Sequence, residues 1–231
     1  MEPACIIARN EVSGKVEFIE QQTEWKHKWE KDILTYDVEY HESLKLIPKR
    51  KLKRAVNLAI STWNFEIPLK FKSAWNTQAD IEIRFATKDE DKYFKDRPSV
   101  LAYAYYPGQG NASGKVVFNA SYIWDLKGKG IKGKDAIKKG LVENAYPDNI
   151  LKTYNIYAVL IHELGHTLGL KHDVTGAKDG SDVMDPYYSV ENLDLSDRDI
   201  YRIRVKYGVR TWDRYSFYNI VKRWLYLAIR R

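Results

Sequence analysis

A chain of 231 residues has room for one globular domain with extensions, and with 44% hydrophobic residues, 7 Trp and 17 Tyr it can bury a sizeable core, which excludes intrinsic disorder over most of its length. Its single cysteine, Cys5, excludes an intramolecular disulfide framework, so stability must come from the core and from any bound metal. A formal net charge of +7 favours encounters with acidic substrates, polyanions or anionic surfaces, and says nothing about the fold.

Residues 1–30 are polar and charged, with one short strand expected at Val16–Ile19, and read as an N-terminal extension or a removable pro-segment. The opening residues Met1 to Asn10 contain no basic n-region and no apolar h-region, so neither a signal peptide nor a membrane span is expected there. From Ile33 to Tyr40, Leu34, Tyr36, Val38 and Tyr40 alternate with polar residues, the period of a half-buried strand. Pro48 then opens a helix to about Trp63, with Leu52, Val56, Ala59, Ile60 and Trp63 on its apolar face. Its other side carries Lys49, Arg50, Lys51, Lys53 and Arg54.

Strands are expected at Asp80–Phe85, Leu101–Tyr106 and Lys115–Phe118, the last two separated by a Pro107-Gly108-Gln109-Gly110 turn. The stretch Lys127–Lys139, with six lysines and three glycines, reads as a solvated surface loop, with anion binding as the alternative. Ile150–Leu170 is a long apolar run expected to be one helix ended by Gly169, and Asp197–Tyr207 a second helix stopped by Gly208. Strands first, with a helix among them, and then two late helices predict an α+β domain.

The chemistry concentrates in His162-Glu163-Leu164-Gly165-His166-Thr167-Leu168-Gly169-Leu170-Lys171-His172. Histidines at i and i+4 share a helical face, so His162 and His166 can converge on one ion. His172 could not join them if the helix continued, because six further residues would carry it about 9 Å onward. Gly169 can take a positive φ and turn the chain back, so helix, glycine break and returning histidine make a three-nitrogen site. Three protein ligands leave a fourth position for water, the arrangement of a catalytic rather than a structural zinc. Zinc lowers the pKa of that water to about 7, and Glu163, beside the first ligand, can take its proton and hand it to a leaving amine. The pentad H-E-x-x-H alone is a weak signal. Here three of the five histidines fall within eleven positions, with the glycine between them. His27 and His41 read as surface or core residues, not ligands.

On these residues the chain resembles the metzincin metallopeptidases, and among them the matrixins. The run Ser181-Asp182-Val183-Met184-Asp185-Pro186-Tyr187-Tyr188 is similar to the Met-turn that follows the zinc motif. The likeness runs from about Ile33 to Gly208. It implies a twisted, mixed five-stranded sheet with three main helices and an active-site cleft, over a catalytic domain of residues 31–208. It further implies a zinc-dependent endopeptidase acting on extended protein or peptide substrates. Met184 would lie under the zinc as an apolar floor, with Pro186 and Tyr188 walling the S1′ pocket. Leu101 and Ala102 would belong to the edge strand that pairs with substrate by β-augmentation. Ala158, four residues before His162, implies a deep S1′ pocket for a large apolar P1′ side chain. Asp199 would brace the Met-turn. An extracellular setting is also implied.

Departures from the family pattern carry information. Matrixins usually hold a structural zinc and calcium around a Gly-Asp-x-His-Phe-Asp-x-x-Glu-x-Trp stretch, where this chain has Lys115, Val117, Asn119 and Tyr122 in place of the Asp, His, Asp and Glu. A lysine repels a cation and a valine cannot ligate one, so no structural zinc is expected and the usual calcium site is called into question. Asp173 stands where many matrixins have Ser. Pro186 stands where astacin-type enzymes place a tyrosine, so that oxyanion role is not carried over. The context of Cys5 does not match the family's latency motif, and an incidental thiol is the expectation.

Residues 209–231 form a basic, aromatic tail, with six basic residues against one acid from Arg210 to Arg231. It reads either as a helix packed on the domain or as an amphipathic helix on a membrane or polyanion. No nucleic-acid-binding motif accompanies the charge. Asn111-Ala112-Ser113 and Asn119-Ala120-Ser121 are glycosylation sequons. A rival to the enzyme is an inactive or latent scaffold that only binds, disfavoured by the intact Glu163.

Overall fold

A computed structural model describes residues 4–7, 27–74, 78–173, 182–191 and 193–210. The strand expected at Val16–Ile19 and the tail from residue 211 onward lie outside them.

The sheet is assembled from β2 (Ile33–Val38), β3 (Lys70–Ser73), β4 (Ile81–Ala86), β5 (Val100–Ala104) and β6 (Lys115–Asn119), in the order β5-β6-β4-β2-β3. Pairings β2–β3, β2–β4 and β4–β6 are parallel, and β5 runs antiparallel to β6. This is the mixed five-stranded sheet that the resemblance implies. A sixth strand, β1 (Ala4–Ile7), pairs antiparallel with the outer side of β5, so the strand of Leu101 and Ala102 is not the sheet edge that the resemblance implies.

Helix α1 (Lys49–Glu66) buries Leu52, Val56, Ala59, Ile60 and Trp63, and exposes the lysines and arginines of its first turns. It packs against α4 (Ile156–Thr167), where the Trp63 indole N–H donates to the Ile161 carbonyl at 2.8 Å. One core cluster joins this helix pair to Ile81, Ile83, Phe118 and Leu101 of the sheet. Helix α5 (Asp197–Tyr207) closes the domain, ended at Gly208 with φ +83°. Arg210 fastens the exit from α5 to the end of α1 by donating to the carbonyls of Asn64, Ile67 and Leu69.

Two expectations about the later elements need correction. The apolar run from Ile150 is not one helix: β9 (Ile150–Leu151) and β10 (Tyr154–Asn155) precede α4. Asn155 starts α4 because its side-chain oxygen accepts from the backbone N–H groups of Tyr157 and Ala158, an N-cap that apolar periodicity does not reveal. The Lys127–Lys139 stretch is not all loop. It follows β7 (Trp124–Asp125), forms β8 (Ile131–Lys132) against β9, and continues into α3 (Gly133–Lys138), with its lysines exposed. Finally, β3 and a short α2 (Lys92–Asp96) lacked a periodic signal, since Lys-Phe-Lys-Ser has only one apolar residue and α2 is barely one turn.

Candidate metal centre and active site

Helix α4 is buried along its whole length, including His162, Glu163 and His166. It ends in a glycine turn that sends the chain back. Gly169 has φ +88°, its N–H donates to the His166 carbonyl, and the Leu170 N–H donates to the Gly165 carbonyl at 2.9 Å, closing the helix end in a Schellman motif. A Cβ on Gly169 would lie 1.9 Å from the His27 carbonyl oxygen, so the position needs glycine for space as well as for φ.

That turn brings the third histidine to the other two. His172 Nε2 lies 3.3 Å from His162 Nε2 and 3.2 Å from His166 Nε2. Among the described residues, these three form a metal-ligating group. The spacing fits zinc: nitrogens bound at 2.0–2.1 Å on a tetrahedral ion lie about 3.3 Å apart. The other ring nitrogens of two of these histidines are engaged, His162 Nδ1 with the Val183 carbonyl at 2.6 Å and His166 Nδ1 with the Leu170 carbonyl at 2.7 Å. Carbonyls only accept, so each Nδ1 carries the hydrogen and each Nε2 turns a lone pair toward the shared point. Burial pushes His162 down to about 3, with the charge of His172 adding to it and the Val183 carbonyl opposing. Burial likewise holds His166 well below its ordinary value, followed by the charges of His162 and His172. Both rings are therefore neutral, as a metal ligand must be.

Met184 is fully buried. A Cβ on Gly165 would come within 2.3 Å of its sulfur and 3.0 Å of the Trp63 ring, so the glycine inside the zinc motif is what lets the methionine approach α4. Sequence reading assigned Gly165 no role. The Met-turn is tied to α5 by Asp199, whose Oδ2 accepts from Val183 N at 2.9 Å and from Ser196 N at 3.1 Å. One buried carboxylate thus both caps α5 and holds the turn, and burial raises its pKa above the ordinary carboxylate value against those hydrogen bonds.

Two of the remaining candidates meet at the start of the same helix. Tyr188 accepts from the Asn155 N–H at 2.8 Å and packs edge-on to Tyr154, while Asn155 caps Ala158, so Tyr188 and Ala158 share one anchor. Pro186 is half-buried two residues past Met184. Leu101 and Ala102 lie on β5, which packs against α4, and β1 lies against both. Tyr106, not anticipated as a site residue, stands edge-on to His166 at 5.7 Å and stacks on its other side with His27 at 4.9 Å. His41 is engaged with Ser43. In the departing stretch, Asn119 is buried and donates to the Val100 carbonyl, and Val117 packs in a small cluster with Tyr103.

The site thus gathers three convergent histidines, a buried glutamate beside the first of them and a glycine turn that returns the third. The family model described as Matrixin matches residues 28–208. The chain belongs to the matrixin family. It is 31% identical to matrix metalloproteinase-2 of Drosophila melanogaster over 82% of this chain and 22% of that protein. Matrilysin of Felis catus is 33% identical over 81% of this chain and 62% of its own length. Human matrix metalloproteinase-20 is 30% identical over 79% of this chain and 33% of its length. The chain therefore spans less than two thirds of these relatives.

Proposed function

We propose that this chain is a metalloendopeptidase that cleaves extended polypeptides at a single zinc held by His162, His166 and His172, with Glu163 as general base. The convergence of three Nε2 atoms at 3.2–3.3 Å, one residue from a buried carboxylate, carries the reading. Zinc bound there would polarise the scissile carbonyl and make water acidic enough to attack near neutral pH. Glu163 would take the proton of the attacking water and pass it to the amide nitrogen, so that the amine leaves neutral. Leu101 and Ala102 would offer β5 backbone groups to the substrate, fixing it in extended form. Ala158 would leave the S1′ pocket deep, with Pro186 and Tyr188 as walls, favouring a large apolar P1′ residue. The chemistry of Lys115 and Val117 supports one zinc per chain and no structural site. Metal content and casein hydrolysis test this directly. One zinc in both wild type and Glu163→Ala, with chelator-sensitive cleavage by wild type alone, is the expected result. Two zincs would overturn the single-site reading, and no zinc would overturn the whole.

A second reading, latency of that same enzyme, is favoured by β1. Its pairing sets Ala4 opposite Ala104, Cys5 opposite Tyr103 and Ile6 opposite Ala102. That is the strand edge a substrate would use, and β1 also lies against α4. The N-terminal segment would then compete with substrate for backbone hydrogen bonds. Ile6→Pro removes a donor from β1 without touching the zinc ligands. Faster casein cleavage at unchanged zinc content supports the latent form, whereas an unchanged rate argues that β1 does not obstruct the cleft.

A further inference from the structure

The third ligand is held differently from the other two. His162 and His166 ride on α4, whereas His172 sits in irregular chain, where no helix hydrogen bonds offset the entropy of ordering the backbone. What orders it comes from α5. Arg202 Nη2 donates to the Lys171 carbonyl at 2.8 Å, and its Nη1 lies 3.7 Å from Asp173 Oδ2. One guanidinium thus grips the chain on both sides of His172. Arg198, one turn earlier on the same helix face, pairs with the same carboxylate oxygen. Asp173 is the residue that departs from the Ser of many matrixins, and its side chain is only 6% exposed. Its backbone N–H donates to the Met184 carbonyl at 2.8 Å, so the loop is joined to Met184 as well.

We infer that Arg202, seconded by Arg198 through Asp173, is a positioning residue that sets the zinc affinity of this centre by fixing His172. The inference rests on the zinc reading above. Arginine suits the task because its planar fork reaches two acceptors at once, which a lysine ammonium does not reproduce. Two guanidinium charges beside a cation site would by themselves oppose metal binding. The Asp173 carboxylate offsets one of them, so losing it harms both geometry and charge balance.

The test uses the full chain, loaded with zinc and, separately, with cobalt(II). Arg202→Ala and Asp173→Asn should each weaken zinc binding in chelator competition by about tenfold or more, the scale on which groups supporting metal ligands act. They should also speed zinc release and shift the visible cobalt bands, which report ligand geometry. Arg202→Lys should fall between wild type and Arg202→Ala, and kcat should drop more than KM. The melting temperature in excess chelator reads the fold independently of the metal. A variant that lowers it but keeps zinc affinity within threefold and the cobalt spectrum unchanged would reduce the pair to ordinary stabilisation and overturn the inference. Should Arg202→Ala not fold, Arg202→Lys and Arg198→Ala decide by the same readouts. A wild type that binds no zinc would instead overturn the zinc centre itself.

Discussion

The two glycines of the zinc motif face different obstacles, and alanine at each should fail differently. At Gly165 the new methyl would meet the sulfur end of Met184, a flexible side chain that can swing aside, and the edge of Trp63. Overpacking of this kind costs about 1–3 kcal/mol. Gly165→Ala should therefore fold and bind zinc, with a lowered melting temperature. At Gly169 the obstacle is the His27 backbone carbonyl, and φ is +88°, where a Cβ adds about 1–3 kcal/mol of strain. Gly169→Ala should be the more destabilised of the two and should lose zinc, because the turn that returns His172 must open. Thermal melts and metal analysis of the pair check the order. Equal behaviour would mean the turn tolerates rearrangement that its contacts with residue 27 argue against.

At the scale of elements, the sequence made legible whatever had a local cause. Asp197–Tyr207 shows the predicted helix bounds because a Ser-x-x-Asp capping box opens it and Gly208 ends it, both readable in the chain. The zinc motif was legible because helical spacing and a glycine break fix the relation of three histidines without any distant partner. The beginning of α4 was not, since Asn155 caps it while Tyr188, 33 positions on, holds the Asn155 backbone. Nor were the partners of Asp173, which lie on a helix 25 and 29 residues downstream. The sequons make the same point. Asn119 is a buried residue of β6 whose amide donates to the Val100 carbonyl, whereas Asn111 is exposed in the turn before that strand. If the chain is expressed through a eukaryotic secretory route, Asn111 should be the modified position of the two and Asn119 should stay bare. Peptide mapping after deglycosylation in heavy-oxygen water distinguishes them. Glycan on Asn119 of folded, active protein would contradict its burial.

Over the whole molecule, the centre couples metal, protons and stability. Two buried histidines are held neutral in the fold, His162 down to about 3 and His166 well below 6.5, while both take up protons at about 6.5 once the chain unfolds. Below pH 6.5 the unfolded chain therefore binds more protons than the native one, so stability is present above that value and drains away as pH falls toward 3. Within the window each histidine contributes a slope of about 1.4 kcal/mol per pH unit. Asp199 works in the opposite direction, because its raised pKa lets the native state gain a proton first, but it is one group against two and acts at the acid end. The zinc-free protein should accordingly melt at steadily lower temperature from pH 7 to 4.5. Zinc stabilises the native state by mass action at neutral pH, and protons compete for the same nitrogens as pH falls. The gap between zinc-loaded and chelated melting temperatures should thus be wide at pH 7.5 and close on acidification. Paired melts across that range, followed by tryptophan fluorescence, read both trends at once. A chelated protein whose melting temperature stays level from pH 7 to 4.5 would mean the histidines protonate inside the fold, with their rings swung apart from the cluster.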